Sequence, residues 1–166
     1  ILLKGAFNHI HIFIDPTPNA SVSFKERKRL FKQTGSSWDD YQRELISAGG
    51  GVFERSSKSI ALTDEMRIAF ATDARSLTPD QLISVMLKAP VDLLWNGGIG
   101  TYVKSFSESN ATVGDKANDS LRVDARDLRC KAIGEGGNLG MTQLSRIEYG
   151  LKGGVSFTDF IDNSAG

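Results

Sequence analysis

The sequence lacks several features that would assign it directly to a functional class. Its 166 residues carry 20 basic and 20 acidic side chains, so the formal net charge is zero. Without a basic excess, neither nucleic acid nor a membrane surface is expected as a partner. The single cysteine, Cys130, excludes an intrachain disulfide and fits a reducing, cytoplasmic environment. The apolar runs are too short to span a bilayer.

The sequence also lacks the arrangements needed for catalysis by a metal ion or an activated nucleophile. The two histidines, His9 and His11, lie two residues apart, and the lone cysteine is remote from them in sequence. One strand face could present both imidazoles to a metal, but packed or partly exposed strand residues are the more ordinary interpretation. We therefore assign no metal ligand and no catalytic residue.

The length suits one ordinary domain with a sizeable core. There is no initiator methionine, and a strand pattern begins almost at the first residue. We expect the chain to be a piece of a longer protein.

Strand patterns recur along the chain. The first runs from Ala6 to Asp15, where β-branched residues are dense and Pro16 follows. Further strands are predicted over 91–95, 128–133 and, from a weaker pattern, 155–163.

Helix patterns alternate with these strands. Thr63 and Thr78 are expected to cap two of the helices, with Pro79 at the first helical position of the second. Ser21 or Ser23 is expected to cap the first helix. The predicted helices cover 23–32, 64–71, 79–89, 113–123 and 141–154, and residues 33–62 are predicted to be irregular. Alternating strands and helices predict an α/β fold with a mainly parallel, Rossmann-like sheet and flanking helices.

The last predicted helix carries an apolar face. Leu144, Ile147 and Leu151 recur at helical spacing, and Gly153 is placed to end the helix.

Two glycine-rich turns follow predicted strands, at 97–100 and 134–140. Neither matches the pyrophosphate fingerprint G-x-G-x-x-G, because Val103 and Leu139 stand where the third glycine is required. The fingerprint is therefore expected upstream of residue 1, so that the fold is truncated before its glycine-rich first βα unit.

Polar side chains lie in these turns, notably Asn96, Glu135 and Asn138. A side-chain amide can hold a carboxamide or a ribose through its paired donor and acceptor. Asparagine is also common in turns because it tolerates left-handed backbone angles. Both turns are expected at one edge of the sheet, and this juxtaposition favours a ligand site.

Asp15 ends the first predicted strand. An acidic residue at the end of the second strand of a dinucleotide-binding fold accepts hydrogen bonds from the adenosine ribose, and its charge disfavours a 2′-phosphate. The alternative is an aspartate that only begins the turn before Pro16. The residues alone favour the turn interpretation, because aspartate before proline is a common turn element.

Longer motifs carry a resemblance to a known family. They are "HIFIDPTPN", "SAGGGVFERSSKSI", "APVDLLWNGGIGTYVK", "VGDKANDSLRV", "LRCKAIGEGGNLGMTQLSRIEYGLKGG" and "DNSAG". In this order they closely resemble the large bacterial NAD-specific glutamate dehydrogenases, over essentially the whole chain. That family oxidatively deaminates L-glutamate to 2-oxoglutarate and ammonia, with NAD as the hydride acceptor.

The resemblance implies that residues 1–166 are most of the NAD-binding domain of such an enzyme. Asp15 then matches the residue at the adenosine ribose, and the other matched positions lie on the nicotinamide side. These are Asn96 and Gly97 near the nicotinamide ribose, Gly136, Gly137 and Asn138 beside the ring, and Asn163 at the junction of cofactor and substrate.

The same resemblance places the acid–base groups outside this chain. The family's substrate-binding lysines and catalytic aspartate would lie upstream, so the fragment is expected to be inactive alone. The full-length enzyme is expected to be a cytoplasmic homo-oligomer acting on L-glutamate and 2-oxoglutarate. Two alternatives stay open: a non-enzymatic nucleotide-binding or regulatory module, and a dehydrogenase for another amino acid such as leucine or phenylalanine.

Overall fold

The computed structural model describes residues 1–164 and shows an α/β protein. The chain divides into two compact units, with the boundary between Met86 and Leu87. None of the described helices is long and apolar enough to cross a membrane.

The first unit is built on antiparallel strands. The strands β1 (Gly5–Phe7), β2 (His11–Ile14) and β3 (Gly51–Glu54) form one sheet in that order, and β4 (Ile60–Ala61) pairs with β5 (Ser76–Leu77). The prediction of a mainly parallel sheet is wrong for this unit. A hairpin joins β1 to β2, and the helix-containing connections from β2 to β3 and from β4 to β5 also return the chain antiparallel to its partner strand.

The predicted strand over 6–15 is wrong in one respect, since it is a hairpin. The side-chain oxygen of Asn8 accepts hydrogen bonds from the backbone N–H groups of Ile10 at 2.8 Å and His11 at 2.7 Å. This local asparagine turn reverses the chain between β1 and β2. The alternation of apolar residues continues across the turn, which is why the sequence pattern concealed it.

The helices of the first unit are α1 (Ala20–Lys32), α2 (Asp64–Phe70) and α3 (Pro79–Leu87), the last ending one residue past the unit boundary. Thr63 caps α2 by accepting from Met66 N–H, and Pro79 opens α3, as predicted. The predicted serine cap of α1 is wrong, because Asn19 supplies the capping oxygen. The segment 33–62, predicted to be irregular, contains β3, β4 and two short 3₁₀ turns.

The core of the first unit forms around β2. Its residues Ile12, Phe13 and Ile14 are buried, and the Phe13 ring stacks on Trp38 with 4.6 Å between centroids. Tyr41 packs against Phe13 as well, and burial raises the pKa of its phenol.

The second unit is built on parallel strands. The strands β6 (Leu93–Asn96), β9 (Ala132–Glu135) and β10 (Val155–Ser156) form a sheet in the order β10-β9-β6, and β7 (Val103–Lys104) pairs with β8 (Val123–Asp124). Its helices are α4 (Asn110–Val113), α5 (Gln143–Leu151) and α6 (Asp159–Asp162). The parallel arrangement predicted from the alternation is confirmed here.

Three predicted strands of the second unit differ from the structure, two in their bounds and one in its burial. The strand expected over 128–133 begins later and runs to Glu135, and the strand expected over 155–163 gives way to α6 after Ser156. The strand expected to be buried near 91–95 lies at the outside of its sheet, so Leu93 and Trp95 are 50 % and 58 % exposed.

The predicted helix over 113–123 is wrong. Helix α4 ends at Val113, because Gly114 adopts a left-handed conformation with φ of 76°. The chain then forms a short 3₁₀ turn over 116–118 and enters β8. The polar side chains of residues 115–122 form hydrogen bonds within this segment and to the turn at Thr101, so the segment is ordered without being a regular helix.

Helix α5 forms where predicted, and Gly153 follows it with φ of 87°. Its apolar face does not lie in the core of the unit. Leu144, Ile147 and Leu151 are 49 %, 51 % and 85 % exposed, and the helix buries Ser145 and Tyr149 instead.

Candidate functional site

The two glycine turns of the second unit lie side by side. Their strands, β6 and β9, are parallel neighbours with Asn96 opposite Glu135, so both turns leave the same edge of the sheet. Gly136 N–H donates to the Asn96 carbonyl at 2.7 Å, which extends the pairing into the turns. The prediction that the turns carrying Asn96, Glu135 and Asn138 leave one edge of the sheet is thereby confirmed. We call residues 96–101 the first turn and 135–140 the second turn.

The turns approach each other too closely for side chains at key positions. A Cβ on Gly137 would lie 2.3 Å from the backbone oxygen of Gly98. A Cβ on Gly136 would lie 2.5 Å from the indole of Trp95. Real Cβ atoms do not make such contacts. Gly137 is therefore required where one turn packs on the other, and Gly136 where the second turn packs on the indole of Trp95 in β6.

Hydrogen bonds join the two turns further along. The Thr101 hydroxyl donates to the Leu139 carbonyl at 2.7 Å. The backbone N–H groups of Tyr102 and Val103 both donate to the Gly140 carbonyl, at 3.0 and 3.2 Å. The turns therefore form one continuous surface at the end of the sheet.

The side chain of Asn96 lies between the turns. Its amide nitrogen is buried and, among the described residues, has no hydrogen-bond partner. The same nitrogen would lie 1.8 Å from a Cβ on Gly140, so it packs directly on that glycine. A buried amide without a partner is costly, and an acceptor supplied by a ligand would satisfy it.

Polar side chains of α6 hold the second turn from the other side. Asp159 accepts from Leu139 N–H at 2.9 Å, where Leu139 has a left-handed φ of 56°, and Asp162 accepts from Glu135 N–H at 3.0 Å. The bond from Leu139 keeps the pKa of Asp159 below its usual value. Asn163 donates to the side-chain oxygen of Asn138 at 3.0 Å. The structure therefore brings Asn138 and Asn163 together.

An ion pair that the sequence analysis missed lies beneath the second turn. The Glu135 carboxylate is 0 % exposed and accepts two hydrogen bonds from the Arg146 guanidinium, both at 2.8 Å. Their mutual hydrogen bonding raises the pKa of Arg146. Such a fork-to-fork pair fixes the end of β9 against α5. The available signal was an acidic strand end followed by an arginine on the next helix.

Asp15 lies in the first unit. Its carboxylate is 1 % exposed, and Oδ1 accepts from both the backbone N–H and the hydroxyl of Ser47. The Ser47 hydroxyl in turn accepts from Thr17 N–H at 3.0 Å. The carboxylate thus organises the loop that leads to β3, and its contact with a ribose stays a prediction.

Other reactive groups do not converge on the turns. Burial raises the pKa of the Cys130 thiol, so it is protonated at neutral pH. The phenol of Tyr149 donates to the Cys130 carbonyl at 2.9 Å. Within residues 1–164, His, Cys, Asp and Glu form no group of three or more that could hold a metal ion.

The arrangement offers side-chain amides to a ligand at the end of the sheet. The buried Asn96 amide nitrogen has no hydrogen-bond partner among the described residues, and Asn138 and Asn163 carry further donors and acceptors. Gly136 and Gly137 contribute differently, since the space beside them is filled by Trp95 and the Gly98 backbone. Paired amide donors and acceptors of this kind can bind a carboxamide or a ribose.

Known proteins of one family match this chain over essentially its whole length. The family model described as "Bacterial NAD-glutamate dehydrogenase, catalytic domain" matches residues 1–166. The NAD-specific glutamate dehydrogenase of Pseudomonas aeruginosa is 66 % identical over 164 residues, which are 99 % of this chain and 10 % of that protein.

Two further relatives carry the same name. The protein from Halomonas elongata is 59 % identical over 166 residues, covering 100 % of this chain and 10 % of the relative. The protein from Mycobacterium tuberculosis is 54 % identical over 172 residues, covering 100 % of this chain and 11 % of the relative. The chain thus spans about a tenth of the length of these curated relatives.

Proposed function

Because the chain belongs to the bacterial NAD-glutamate dehydrogenase family, we propose that it is the part of a longer NAD-dependent enzyme that holds the nicotinamide side of the cofactor. The observation that carries this proposal is the junction of the two glycine turns. They leave the carboxyl ends of neighbouring parallel strands, where α/β sheets bind their ligands.

NAD supplies a nicotinamide ring that accepts hydride from the α-carbon of L-glutamate, and the product is hydrolysed to 2-oxoglutarate and ammonia. The residues of this chain bind and orient that ring. Close packing at Gly136 and Gly137 would fix the backbone of the second turn beside the ring, and the buried Asn96 amide would donate to an oxygen of the nicotinamide half. Gly97 gives the first turn the small profile needed next to the ribose.

Asn138 and Asn163 complete the same surface. Because Asn163 donates to the Asn138 oxygen, the Asn138 amide nitrogen is turned away from that bond and can donate to the carboxamide. The pair thereby selects the ring face that is presented to the substrate.

We also propose that Asp15, in the first unit, contacts the adenosine ribose of NAD. Both contacts from Ser47 are to Oδ1, so Oδ2 is the oxygen we assign to the ribose. A ribose would reach it after a shift of the loop at Ser47, since the carboxylate is 1 % exposed. Its negative charge would disfavour the 2′-phosphate of NADP.

The remainder of the enzyme supplies the chemistry that this chain does not. We propose that the substrate-binding lysines lie in a separate domain, that the full-length protein is a cytoplasmic homo-oligomer, and that glutamate contacts that other domain. The pyrophosphate fingerprint is likewise assigned upstream.

A cofactor and substrate panel tests this function. Purified full-length protein is expected to form NADH with L-glutamate and NAD, with little turnover of leucine or phenylalanine and little use of NADP. The separate 166-residue chain is expected to form no NADH. Turnover by the separate chain would contradict the proposal that the catalytic groups lie outside it. Absence of glutamate turnover by the full-length protein would favour a non-enzymatic module.

Replacing Asn138 by alanine tests the nicotinamide contact. We expect kcat/KM for NAD in the full-length enzyme to fall about tenfold to hundredfold, the loss expected from one hydrogen bond to a reacting group and some misplacement. Gln33→Ala removes an exposed side-chain amide at the end of α1, where it accepts from Arg29 rather than contacting either turn, and serves as the control. Unchanged kinetics for Asn138→Ala would leave this residue with a turn-forming role only.

A further inference from the structure

One residue of the first turn, Thr101, is held at both its backbone N–H and its carbonyl by a single short segment. The Thr101 N–H donates to Asp115 Oδ2 at 2.9 Å, and the Thr101 carbonyl accepts from Arg122 Nε at 2.8 Å. Asp115 and Arg122 are the two ends of residues 115–122, which we call the bracket. Both ends of the bracket therefore return to the same residue of the turn.

The Arg122 side chain is held in one position by burial and several hydrogen bonds. Its side chain is 0 % exposed, and its terminal nitrogen donates to Asn110 Oδ1 at 2.9 Å and to Asp119 Oδ1 at 2.6 Å. The other terminal nitrogen donates to the Asp115 carbonyl. A planar guanidinium with all of these acceptors has little freedom to turn, so its bond to Thr101 is held in one direction.

Asp115 is held within the bracket as well. The Asn118 side chain donates to Asp115 Oδ2 at 2.7 Å, the same oxygen that accepts from Thr101. The bond from Asn118 lowers the pKa of Asp115, so the carboxylate is charged at neutral pH. The Asn118 amide also lies 2.7 Å from the position of a Cβ on Gly100, whose φ is 135°.

The first turn has an intrinsic need for such support. Three of its residues are glycine, at 97, 98 and 100, and glycine loses more conformational freedom on ordering than any other residue. Ile99 between them is 92 % exposed and contributes little packing. A turn ordered before the ligand arrives spares the binding step that ordering.

We propose that Asp115 and Arg122 are positioning residues that hold the first turn in its cofactor-binding conformation through the backbone N–H and carbonyl of Thr101. The inference rests on the proposed function for its kinetic consequence. It differs from that function in assigning a role to residues that touch neither cofactor nor substrate. Asn96 and Gly97 are the groups whose position the bracket sets.

Paired alanine variants of the full-length enzyme separate positioning from general stability. Asp115→Ala removes an acceptor of Thr101 and a carboxylate near Arg122, and Asp119→Ala removes a carboxylate on the same guanidinium. The described hydrogen bonds of Asp119 do not include the first turn. We expect Asp115→Ala to lower kcat/KM for NAD by about tenfold to hundredfold, and Asp119→Ala by much less.

A second readout follows the turn without using activity. Hydrogen–deuterium exchange in the full-length protein is expected to quicken at peptides covering 97–103 in Asp115→Ala, with exchange over α5 unchanged. Asp115→Asn keeps a side-chain oxygen for Thr101 N–H, and we expect it to recover most of the lost kcat/KM and protection.

Several results would overturn the proposal. They are equal kinetic losses in Asp115→Ala and Asp119→Ala, wild-type exchange at 97–103 in Asp115→Ala, or an Asp115→Asn variant no better than alanine. If Asp115→Ala does not fold, Asp115→Asn with wild-type folding but a fully lost kcat/KM for NAD also counts against it. If the wild-type enzyme does not use NAD and glutamate, the proposed function fails, and the exchange measurement still decides the role of the bracket.

Discussion

Replacing Gly137 by alanine is expected to lower kcat/KM for NAD by about 100-fold in the full-length enzyme, the scale of loss for a displacement of about 1 Å at a reacting group. The added Cβ would lie 2.3 Å from the backbone oxygen of Gly98. Backbone cannot rotate away as a side chain can, so the two turns must separate. The buried Asn96 amide and the Gly136–Gly137 surface would then no longer face the same ligand. Steady-state kinetics with varied NAD measure the effect.

Gly98→Ala is the matched control for this prediction. It lies in the opposite turn, and a Cβ there would meet nothing within 4 Å. We expect near wild-type kinetics, since the substitution adds a methyl group to open space. Equal losses in both variants would mean that the turns tolerate no change of any kind, and wild-type kinetics for Gly137→Ala would show that their close approach is irrelevant to cofactor use.

Removing Arg146 is expected to have the largest effect on stability. Glu135 is 0 % exposed and would lose its guanidinium partner, and breaking a buried pair in this way costs about 3–5 kcal/mol. The loss should appear as local opening of β9 and the second turn. Hydrogen–deuterium exchange at peptides covering 132–147 of Arg146→Ala is expected to be at least about 100-fold faster, since about 1.4 kcal/mol corresponds to tenfold.

The exposed pair of Lys131 and Asp92 provides the comparison. Their side chains are 81 % and 86 % exposed with 2.7 Å between charged atoms, so solvent screens the attraction. Lys131→Ala should leave exchange over 132–147 unchanged. If Arg146→Ala behaved in the same way, the buried pair would not be what holds the end of β9.

The features that sequence patterns located were those set by local chemistry. Thr63 and Pro79 mark helix starts because capping and a fixed φ act within one turn of chain. Asn96 and Glu135 were placed at one edge because parallel strands bring their carboxyl ends together. The grouping of the candidate site followed from these two rules, together with the family resemblance.

The features that were missed depend on contacts distant in sequence or on one deceptive local choice. The bond between Asp115 and Thr101 spans fourteen positions, and a pattern of charged and apolar residues reads the same region as a helix. Gly114 adopts a left-handed conformation and ends α4 at Val113, so no helix continues into residues 115–123. Asn8 hid a hairpin inside an alternating run, because alternation continues on both sides of a tight turn.

The exposed face of α5 illustrates a different limit. Periodicity identifies residues that share a face, here Leu144, Ile147 and Leu151, but it does not say what covers that face. In this structure the helix packs through Ser145 and Tyr149 instead. The small hydroxyl of Ser145 bonds the Val103 and Thr142 carbonyls, which places the helix close to β7.

The proposed binding of the nicotinamide half of NAD by the first and second turns can be checked in a structure of the full-length enzyme with NAD bound. We expect the carboxamide or the adjoining ribose within hydrogen-bond distance, about 3.5 Å or less, of Asn96 or the Gly136–Asn138 backbone. A nicotinamide ring bound away from both turns would contradict the claim.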